Sequence, residues 1–211
     1  MKIDCLILGQ YQTNCYILRK SQNAKDCVII DTALDDNQPT AFLTEQKLHP
    51  DAVILTHGHI DHIYGLARLR EKYTDAKIYI HKLDADMLTD SDKNMSALTG
   101  ISFSTNPADF LAEENDIIQH AGIKLMVIHT PGHTPGGICL YDKENNSLFS
   151  GDTLFADSVG RTDLPPFGNM DQLINSIKQK LLTLPDETKV YPGHGPQTTI
   201  EREKNYNQYL R

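Results

Sequence analysis

The stretch THGHIDH at residues 56–62 follows directly on the apolar run Ala52–Leu55. It places three histidines and one aspartate within seven residues, and Gly58 leaves room between the first two histidines. Imidazole nitrogen and carboxylate oxygen are ligands that suit zinc, iron or manganese, so a bound metal ion would resolve the crowding of these side chains. A polar loop after a strand is the alternative interpretation, but it does not account for the spacing. We therefore predict a metal-binding loop at the end of a strand.

Three other histidine or aspartate signals also follow apolar runs. They are TPGHTPGG at 130–137, SGDT at 150–153 and PGHG at 192–195, and each places its polar residue beside glycine or proline. Ligand sites in α/β sheets form at the carboxyl ends of strands, so these side chains are expected to converge. A single glycine-flanked histidine is more often a turn residue, but the coincidence of all these signals favours one shared site.

The composition is that of a globular protein, and it excludes several classes of partner. The chain has 211 residues, is 39% hydrophobic and 23% charged, and contains no long apolar run. We therefore expect no membrane span and no signal peptide. A formal net charge of −8 without a Lys/Arg cluster argues against nucleic acid as the main partner. We expect a cytoplasmic protein with one domain over residues 1–211, and the oligomeric state has no readable signal.

The cysteines give no sign of a disulfide or a thiolate metal site. Cys5, Cys15, Cys27 and Cys139 fall in apolar segments and form no Cys-x-x-Cys pair. This pattern favours buried, reduced thiols.

Hydrophobic periodicity predicts alternating strands and helices, which is typical of an α/β fold. The first three strands are separated by turn residues and are expected to be antiparallel neighbours. Residues 89–115 lack periodicity and are rich in Ser, Thr, Asp and Asn, so they form either a substrate-side lid or a plain surface excursion. Predicted strands cover 3–8, 15–18, 27–30, 52–55, 77–80, 116–120, 124–129, 138–141, 147–149 and 189–191, and predicted helices cover 39–48, 65–72, 173–182 and the residues from 199 onward.

Taken together, the motifs resemble the metallo-β-lactamase superfamily and, within it, the short glyoxalase II-like hydrolases. The resemblance implies an α/β fold in the form of a four-layer αββα sandwich, with the metal site at the edge of the two sheets. The ligand motifs are specific, whereas NCYI and IDT at 30–32 are weak alone. The resemblance runs through NCYI (14–17), THGHIDH, HTPGHTPGG (129–137), SGDTLF (150–155), SVGRTDLP (158–165) and PGHGP (192–196).

The resemblance also implies a set of metal ligands. One or two divalent ions are expected, with zinc favoured over iron or manganese. The implied ligands are His57, His59 and His133 for the first ion, Asp61, His62 and His194 for the second, and Asp152 as a bridge between them.

Other residues are placed around these ligands. Asp31 is a candidate partner for a ligating histidine, because such an imidazole usually donates its other N–H to a carboxylate or carbonyl oxygen. The family often has a glycine two residues later, where this chain has Ala33. The other histidines match no ligand position and are interpreted as surface or packing residues: His49, His81, His120 and His129.

The chemistry implied by the resemblance is hydrolysis of a small-molecule thioester of the S-(2-hydroxyacyl)glutathione type by a metal-bound hydroxide. A bound cation lowers the pKa of water to about 7 and polarises the carbonyl group. Asp61 and Asp152 are the expected catalytic residues, and Asp61 can orient the water while it binds metal. The chain has no Gly-x-Ser-x-Gly motif, so a serine nucleophile is not expected.

The substrate-binding residues are predicted less directly. Long glyoxalase II enzymes carry a separate C-terminal helical domain that helps to bind glutathione, and we expect this chain to lack it. They also carry a Lys- and Tyr-containing stretch shortly after the bridging aspartate, where this chain reads SVGRTDLPPFG at 158–168. Arg161 offers a planar cation for a substrate carboxylate, although an ion pair with Asp163 is the favoured interpretation. Arg202 and Lys204 are further candidates, with a solvated helix face as the alternative.

A mono-iron persulfide dioxygenase on the same fold is the main alternative function. It resembles the chain in GRTD at 160–163 and would use His57, His133 and Asp152 as a two-histidine, one-carboxylate iron site. The PGHGP motif resembles the hydrolases instead. A lactamase, a nuclease and a metal-binding protein without catalysis are less favoured, the last because every ligand position is filled.

Overall fold

Two β-sheets form the centre of the protein, and helices lie on the outer face of each sheet. The computed structural model describes residues 1–35, 37–164 and 167–211, so Pro165 of the SVGRTDLP stretch lies outside the described residues. The strands are β1 (Lys2–Leu8), β2 (Thr13–Arg19), β3 (Asp26–Ile30), β4 (His49–Ile54), β5 (Lys77–His81), β6 (Phe110–Ala112), β7 (Ile117–His120), β8 (Ile123–His129), β9 (Ile138–Asp142), β10 (Ser147–Gly151), β11 (Leu154–Phe155), β12 (Ser158–Val159), β13 (Lys189–Pro192) and β14 (Thr198–Thr199). The helices are α1 (Gln38–Gln46), α2 (Ile60–Ile63), α3 (Leu66–Lys72), α4 (Met170–Ser176) and α5 (Ile200–Tyr206), with 3₁₀ turns at Ala85–Leu88 and Ser96–Thr99 and a π-helical turn at Ile177–Leu181.

Each main sheet contains six strands within the described ranges. The first has the order β1-β2-β3-β4-β5-β6, and the second has the order β14-β13-β10-β9-β8-β7. Strands β1, β2 and β3 are antiparallel neighbours, as predicted, whereas β3 to β6 run parallel. The predicted hairpins β7–β8 and β9–β10 are also confirmed.

Alternation of side chains along the strands produces the layers. In β2, Tyr16 and Leu18 point between the sheets, and Ile17 points toward the helices of the first sheet. In β9, Leu140 points between the sheets and Cys139 toward α4. Burying an aliphatic side chain of this size contributes about 1.5–3 kcal/mol, so both faces of each sheet must be covered. The result is the predicted four-layer αββα sandwich.

The helices begin and end where local chemistry dictates. Pro39 lies in the first turn of α1, and Lys47 ends it in the left-handed region with a φ of 55°. The Asn169 side chain caps α4 by accepting a hydrogen bond from the Gln172 N–H. The predicted helix over 173–182 widens into the π-helical turn, and its apolar side chains are buried against the second sheet. Among the described helices, none is long and apolar enough to cross a bilayer.

Segment 89–115 contains more regular structure than the sequence indicates. Phe110–Ala112 forms β6, a parallel edge strand beside β5, so the prediction of an irregular segment is wrong there. The strand escaped prediction because it has only three residues and two of them are exposed. Elsewhere in the segment, the buried Asn94 amide donates to the carbonyl oxygens of Met87 and Phe103 at 2.9 and 3.0 Å. These bonds hold the loop closed on itself, and its role as a lid stays a prediction.

Candidate metal centre

Each predicted ligand follows a strand of one of the two main sheets. His57 and His59 lie in the loop after β4, and Asp61 and His62 lie on the single turn of α2. The other ligands follow β8, β10 and β13, and they are His133, Asp152 and His194. The loops at the carboxyl ends of these strands, together with the short helix α2, therefore supply the whole set.

The first group of ligands consists of His57, His59 and His133. Their ligating atoms lie within 4.8 Å of one another, and all three residues are buried. Nδ1 of His59 is 2.9 Å from Nε2 of His133. The ring centroid of His57 is 4.8 Å from that of each of the other two histidines. Three imidazoles that converge in this way are a common protein ligand set for zinc.

The second group consists of Asp61, His62 and His194, again with ligating atoms within 4.8 Å of one another. Nε2 of His194 lies 3.2 Å from Oδ2 of Asp61 and 3.3 Å from Nε2 of His62. Asp152 stands between the two groups, because its Oδ2 is 3.6 Å from Nε2 of His133 and 3.5 Å from Nε2 of His194. A carboxylate that bridges two ions needs this position.

The hydrogen bonds of Thr56 determine which nitrogen of His57 faces the centre. The Thr56 hydroxyl donates its one proton to Oδ2 of Asp31 at 2.7 Å, so its lone pair accepts from Nδ1–H of His57 at 3.1 Å. Nε2 of His57 then carries a lone pair, and this buried atom has no hydrogen-bond partner in the described part of the chain. A buried acceptor left in this state is costly, and a bound cation would remove the cost.

Two other ligands are oriented by backbone carbonyl groups. Nδ1 of His133 donates to the carbonyl oxygen of Arg161 at 2.7 Å, and Nδ1 of His194 donates to that of Tyr11 at 3.0 Å. A carbonyl oxygen only accepts, so Nδ1 carries the proton in both rings. Their Nε2 atoms therefore face the centre as lone pairs when the rings are neutral.

Asp31 occupies the position predicted for it. Its Oδ2 accepts from Nδ1 of His62 at 2.8 Å, and its Oδ1 accepts from the Thr56 N–H at 2.8 Å. Ala33, which replaces the family's frequent glycine, has a φ of 59°. The backbone thus keeps the left-handed conformation that favours glycine, although the side chain differs.

The chemistry of these residues fits one or two divalent ions. Besides His57 Nε2, the buried Oδ1 of Asp152 has no hydrogen-bond partner among the described residues, and Nε2 of His62 lies 3.4 Å from it. Histidine nitrogens and carboxylate oxygens together suit zinc, iron and manganese. Ligand atoms of His57, His62 and Asp152 lie within 4.8 Å of one another, which is an arrangement that a cation stabilises.

Electrostatics divide the centre into a neutral and a charged half. Burial, together with the neighbouring imidazoles, holds the pKa of His57 well below its usual value and lowers that of His59 to about 3. Burial also acts to lower the pKa of His62 and His194, but nearby carboxylates, Asp152 above all, outweigh it. The pKa of His62 is raised, and that of His194 is raised to about 10. The second group therefore attracts positive charge strongly.

The model of the metallo-beta-lactamase superfamily matches residues 8–194 of the chain. The chain belongs to this superfamily. It is 38% identical over 211 residues to the probable metallo-hydrolase YqgX of Bacillus subtilis, covering 100% of this chain and 98% of the relative. It is 31% identical over 212 residues to the hydroxyacylglutathione hydrolase GloC of Haemophilus influenzae, again covering 100% of this chain and 98% of the relative.

Solved structures of the superfamily share the fold over almost the whole chain. The crystal structure of BLEG-1 B3 metallo-beta-lactamase matches with a TM-score of 0.93 at 37% identity and covers 99% of both chains. The structure of TTHA1623 in a di-iron-bound form matches with a TM-score of 0.84 at 36% identity, over 98% of this chain and 100% of the other. The superfamily member described here is accordingly a metallo-hydrolase with a His/Asp centre for one or two metal ions.

A cleft of about 460 Å³ opens onto the centre of this superfamily member. Five of its lining residues are predicted ligands, namely His59, Asp61, His133, Asp152 and His194. Arg161 also lines the cleft, and its guanidinium binds both carboxylate oxygens of Asp163 at 2.8 and 2.9 Å. The favoured interpretation of Arg161, a pair with Asp163, is thus what the structure shows.

The other two predicted substrate residues lie elsewhere. Arg202 forms an ion pair with Asp157, and Lys204 forms one with Asp186. Neither cation belongs to the cleft lining. The structure therefore gives both cations carboxylate partners outside the cleft lining, and their role in substrate binding stays a prediction.

Asp84 is a buried residue that the sequence did not reveal. Its Oδ2 accepts from the Thr134 hydroxyl at 2.7 Å and from the Gly58 N–H at 3.2 Å, and its Oδ1 accepts from the Gly136 N–H at 2.6 Å. Burial raises the pKa of this carboxyl group. Asp84 ties the loop of His57 to the loop of His133, and no local motif around it signals this role.

Gly193 is a second residue that the centre requires. A Cβ at this position would lie 2.3 Å from Oδ1 of Asp152 and 2.8 Å from Cε1 of His62. The motif PGHG contained the signal, because a glycine beside a ligand often marks a close backbone approach. Only the folded structure shows which atoms approach.

The remaining histidines lie away from the centre. The ring of His81 stacks on that of His129 at 4.1 Å, and Nε2 of His120 lies 2.9 Å from the Tyr79 hydroxyl. His49 lies near the carboxylates of Asp51 and Asp75. These contacts agree with the interpretation of all four as surface or packing residues.

Proposed function

We propose that this protein is a metal-dependent thioester hydrolase that acts on S-(2-hydroxyacyl)glutathione-type substrates. The observation that carries the proposal is the position of Asp152 between two complete ligand groups. The similarity to GloC, a hydroxyacylglutathione hydrolase, supports the choice of a thioester. We place the reaction in the cytoplasm, which agrees with four cysteines that form no disulfide.

The metal ions proposed here are two zinc ions. His57, His59 and His133 would hold one ion, Asp61, His62 and His194 the other, and Asp152 both. When bound, such ions acidify water and polarise a carbonyl group. The similarity to a di-iron-bound structure makes iron the alternative that the metal analysis must test.

Asp61 is suited to orient the attacking water. Its carboxylate lines the cleft, and its Oδ2 accepts a hydrogen bond from the Thr13 hydroxyl at 3.4 Å. His62 and His194 hold the pKa of this carboxyl group below its usual value, although burial alone would raise it. Asp61 therefore stays an acceptor near neutral pH. In the overall reaction the water oxygen bonds to the carbonyl carbon, the C–S bond breaks with its electron pair on sulfur, and a water proton ends on the thiol.

The persulfide dioxygenase alternative needs only part of the centre. It would hold a single iron ion with His57, His133 and Asp152, and it does not require an ion at the second ligand group. Asp61, His62 and His194 lie 3.2 to 3.7 Å from one another through their ligating atoms, which favours a second ion and hence hydrolysis.

The proposal is tested by metal analysis coupled to activity assays on one preparation, purified without added metal. Thiol release from S-lactoylglutathione, oxygen uptake with glutathione persulfide, and hydrolysis of a β-lactam are measured in parallel. We expect two metal ions per chain and thiol release without oxygen uptake. His57→Ala should abolish thiol release, whereas His120→Ala, which alters a histidine outside the centre, should retain it.

Other outcomes would contradict the proposal. A single iron ion with persulfide-dependent oxygen uptake and no thiol release would assign the dioxygenase function. Hydrolysis of the β-lactam alone would assign a lactamase, in keeping with the similarity to BLEG-1. Metal binding with none of the three activities would leave a metal-binding protein.

A further inference from the structure

The cleft beside the metal centre has an apolar wall next to His59. Ile60, Met95 and Leu98 belong to this wall. The Ile60 N–H donates to the carbonyl oxygen of Asn94 at 2.9 Å, which fixes the turn that carries Met95 and Leu98 against the helix of Asp61. The wall is therefore held beside the ligands by a backbone hydrogen bond.

Leu98 is the most exposed large apolar side chain in the described part of the chain, with 78% of its surface accessible. It lies at the cleft on the 3₁₀ turn Ser96–Thr99. Met95 and Gly100, which flank this turn, both have left-handed backbone conformations. An apolar side chain held in water at the edge of a site gains free energy when a ligand covers it. Its placement points to a ligand with an apolar surface.

The opposite end of the cleft lies beside the second ligand group. The ring of Phe155 meets the ring of His194 edge to face, with centroids 6.3 Å apart. Tyr11, whose carbonyl oxygen orients His194, also lines this end. A substrate that lies across the centre therefore meets apolar side chains at both ends.

Outside the two ligand groups, charged side chains contribute little to the lining. Among the described lining residues, Arg161 is the one lysine or arginine, and its side chain is 59% exposed and paired with Asp163. A carrier thiol with several carboxylates, such as glutathione, would thus find a single cation that already has a partner. Selection by this cleft must come mainly from apolar contact.

We infer that Met95 and Leu98 form a subsite for the acyl group, and that the preferred substrates are thioesters with an aliphatic acyl chain longer than lactoyl. The acyl group is assigned to this wall because common carrier thiols are polar or charged and match it poorly. The inference rests on the proposed thioester hydrolase function and shifts the preferred acyl group from a short hydroxyacyl group to a longer aliphatic one. Each methylene that is buried against the wall should raise kcat/KM about fourfold.

The test uses the zinc-loaded protein and a series of glutathione thioesters with acetyl, butanoyl, hexanoyl and lactoyl groups. We expect kcat/KM to rise with chain length and to exceed the lactoyl value for the hexanoyl ester. In Leu98→Ser the rise per methylene should fall below about twofold, as part of the wall is lost. Leu111→Ser, which alters another exposed leucine on β6 outside the cleft, should leave the rise unchanged.

A binding measurement separates this inference from the proposed function. Calorimetry with acetate, butanoate and hexanoate on the same zinc-loaded proteins should give a Kd that falls with chain length in the wild type and less so in Leu98→Ser. If no thioester is hydrolysed but this trend holds, the hydrolase proposal fails and the apolar subsite stands. A flat trend in both series, or a trend that Leu98→Ser leaves intact, would overturn the subsite.

Discussion

The carboxylate of Asp31 and the imidazole of His62 form a buried pair, with Nδ1 of His62 2.8 Å from Oδ2 of Asp31 and side chains that are 2% and 0% exposed, respectively. The same carboxylate accepts the Thr56 hydroxyl proton at 2.7 Å, and Thr56 in turn accepts from His57. One aspartate thus orients a ligand of each metal group, His62 directly and His57 through Thr56.

Asp31→Asn should therefore weaken metal binding at both groups. The amide keeps the shape of the carboxylate, but its NH₂ group replaces one of the two oxygens and cannot accept a hydrogen bond. At least one of the bonds from His62 and Thr56 is therefore lost. Loss of such a supporting partner typically costs 10- to 100-fold in metal affinity, and we expect a decrease of about this size. Competition with a chromophoric chelator measures the metal affinity of each variant. Asp186→Asn changes an exposed carboxylate that pairs with Lys204, and its metal affinity should equal that of the wild type.

Asp84→Asn should weaken mainly the first group. Three donors converge on Asp84 from Gly58, Thr134 and Gly136, and an amide leaves at least one of them facing an NH₂ group. We expect the free energy of unfolding to fall by about 1–3 kcal/mol and the metal affinity of the first group to fall at least tenfold. Cobalt substitution reports the first site through its visible absorption, and urea unfolding reports stability.

The matched control for that variant is Asp86→Asn. Asp86 lies two residues further along the chain, is 78% exposed in its side chain, and pairs with Lys93 on the surface. The cobalt spectrum of this variant should match that of the wild type, and its free energy of unfolding should change by no more than about 0.5 kcal/mol. Equal behaviour of the two variants would show that Asp84 does not position the ligand loops.

Gly193→Ala should disrupt the centre by steric intrusion. The added methyl group would lie 2.3 Å from Oδ1 of Asp152, so the carboxylate or the loop must shift. We expect loss of the bridged metal pair, measured as metal content after dialysis, and a fall in thiol release of at least tenfold. Gly195→Ala lies in the same loop at a φ of 74°, with open space around a new Cβ. It should cost about 1–2 kcal/mol of backbone strain yet retain both metal ions.

The ion pair of Asp4 with Arg19 should make stability depend on pH in acid. The atoms are 2.7 Å apart, and the Arg19 side chain is only 6% exposed. Burial raises the pKa of Asp4, but hydrogen bonds from Arg19 and Lys2 outweigh it and lower the pKa below its usual value. Since the unfolded chain binds the proton more readily, the pair stabilises the fold above pH of about 4 and loses its effect as pH falls through the folded-state pKa.

Asp4→Asn should accordingly cost about 1–3 kcal/mol at pH 7, because Arg19 loses its carboxylate while buried. The difference from the wild type should shrink as the pH drops below about 4. Urea unfolding at a series of pH values measures this difference in the free energy of unfolding. Lys2→Met removes a partner that is 37% exposed and should cost less than about 1 kcal/mol. A cost that grows in acid would contradict the assigned direction of the pKa shift.

The sequence by itself predicted the candidate ligands and most of the fold. THGHIDH and the three later motifs each follow an apolar run, so local spacing predicted the strands and a shared site at their ends, and the family resemblance implied which residues would be ligands. Likewise, alternation along β2, β3 and β9 and the helical spacing of Leu173, Ile177 and Leu181 require neighbours only a few residues apart. Patterns of this short range are visible without a structure.

Tertiary structure decided which groups meet. His59 and His133 are 74 residues apart in the chain. Asp84 and Gly136, whose N–H donates a hydrogen bond to Asp84, are 52 residues apart. The pairing of Arg161 with Asp163 was open in the sequence, since a cation near a site suits either a carboxylate of the chain or one of a substrate. The exposed leucine at position 98 had no readable role, because exposure and its place at the cleft arise only when the 89–115 segment folds against α2. Contacts between distant residues depend on how the two sheets pack, and that packing sums many small apolar contributions that no single motif records.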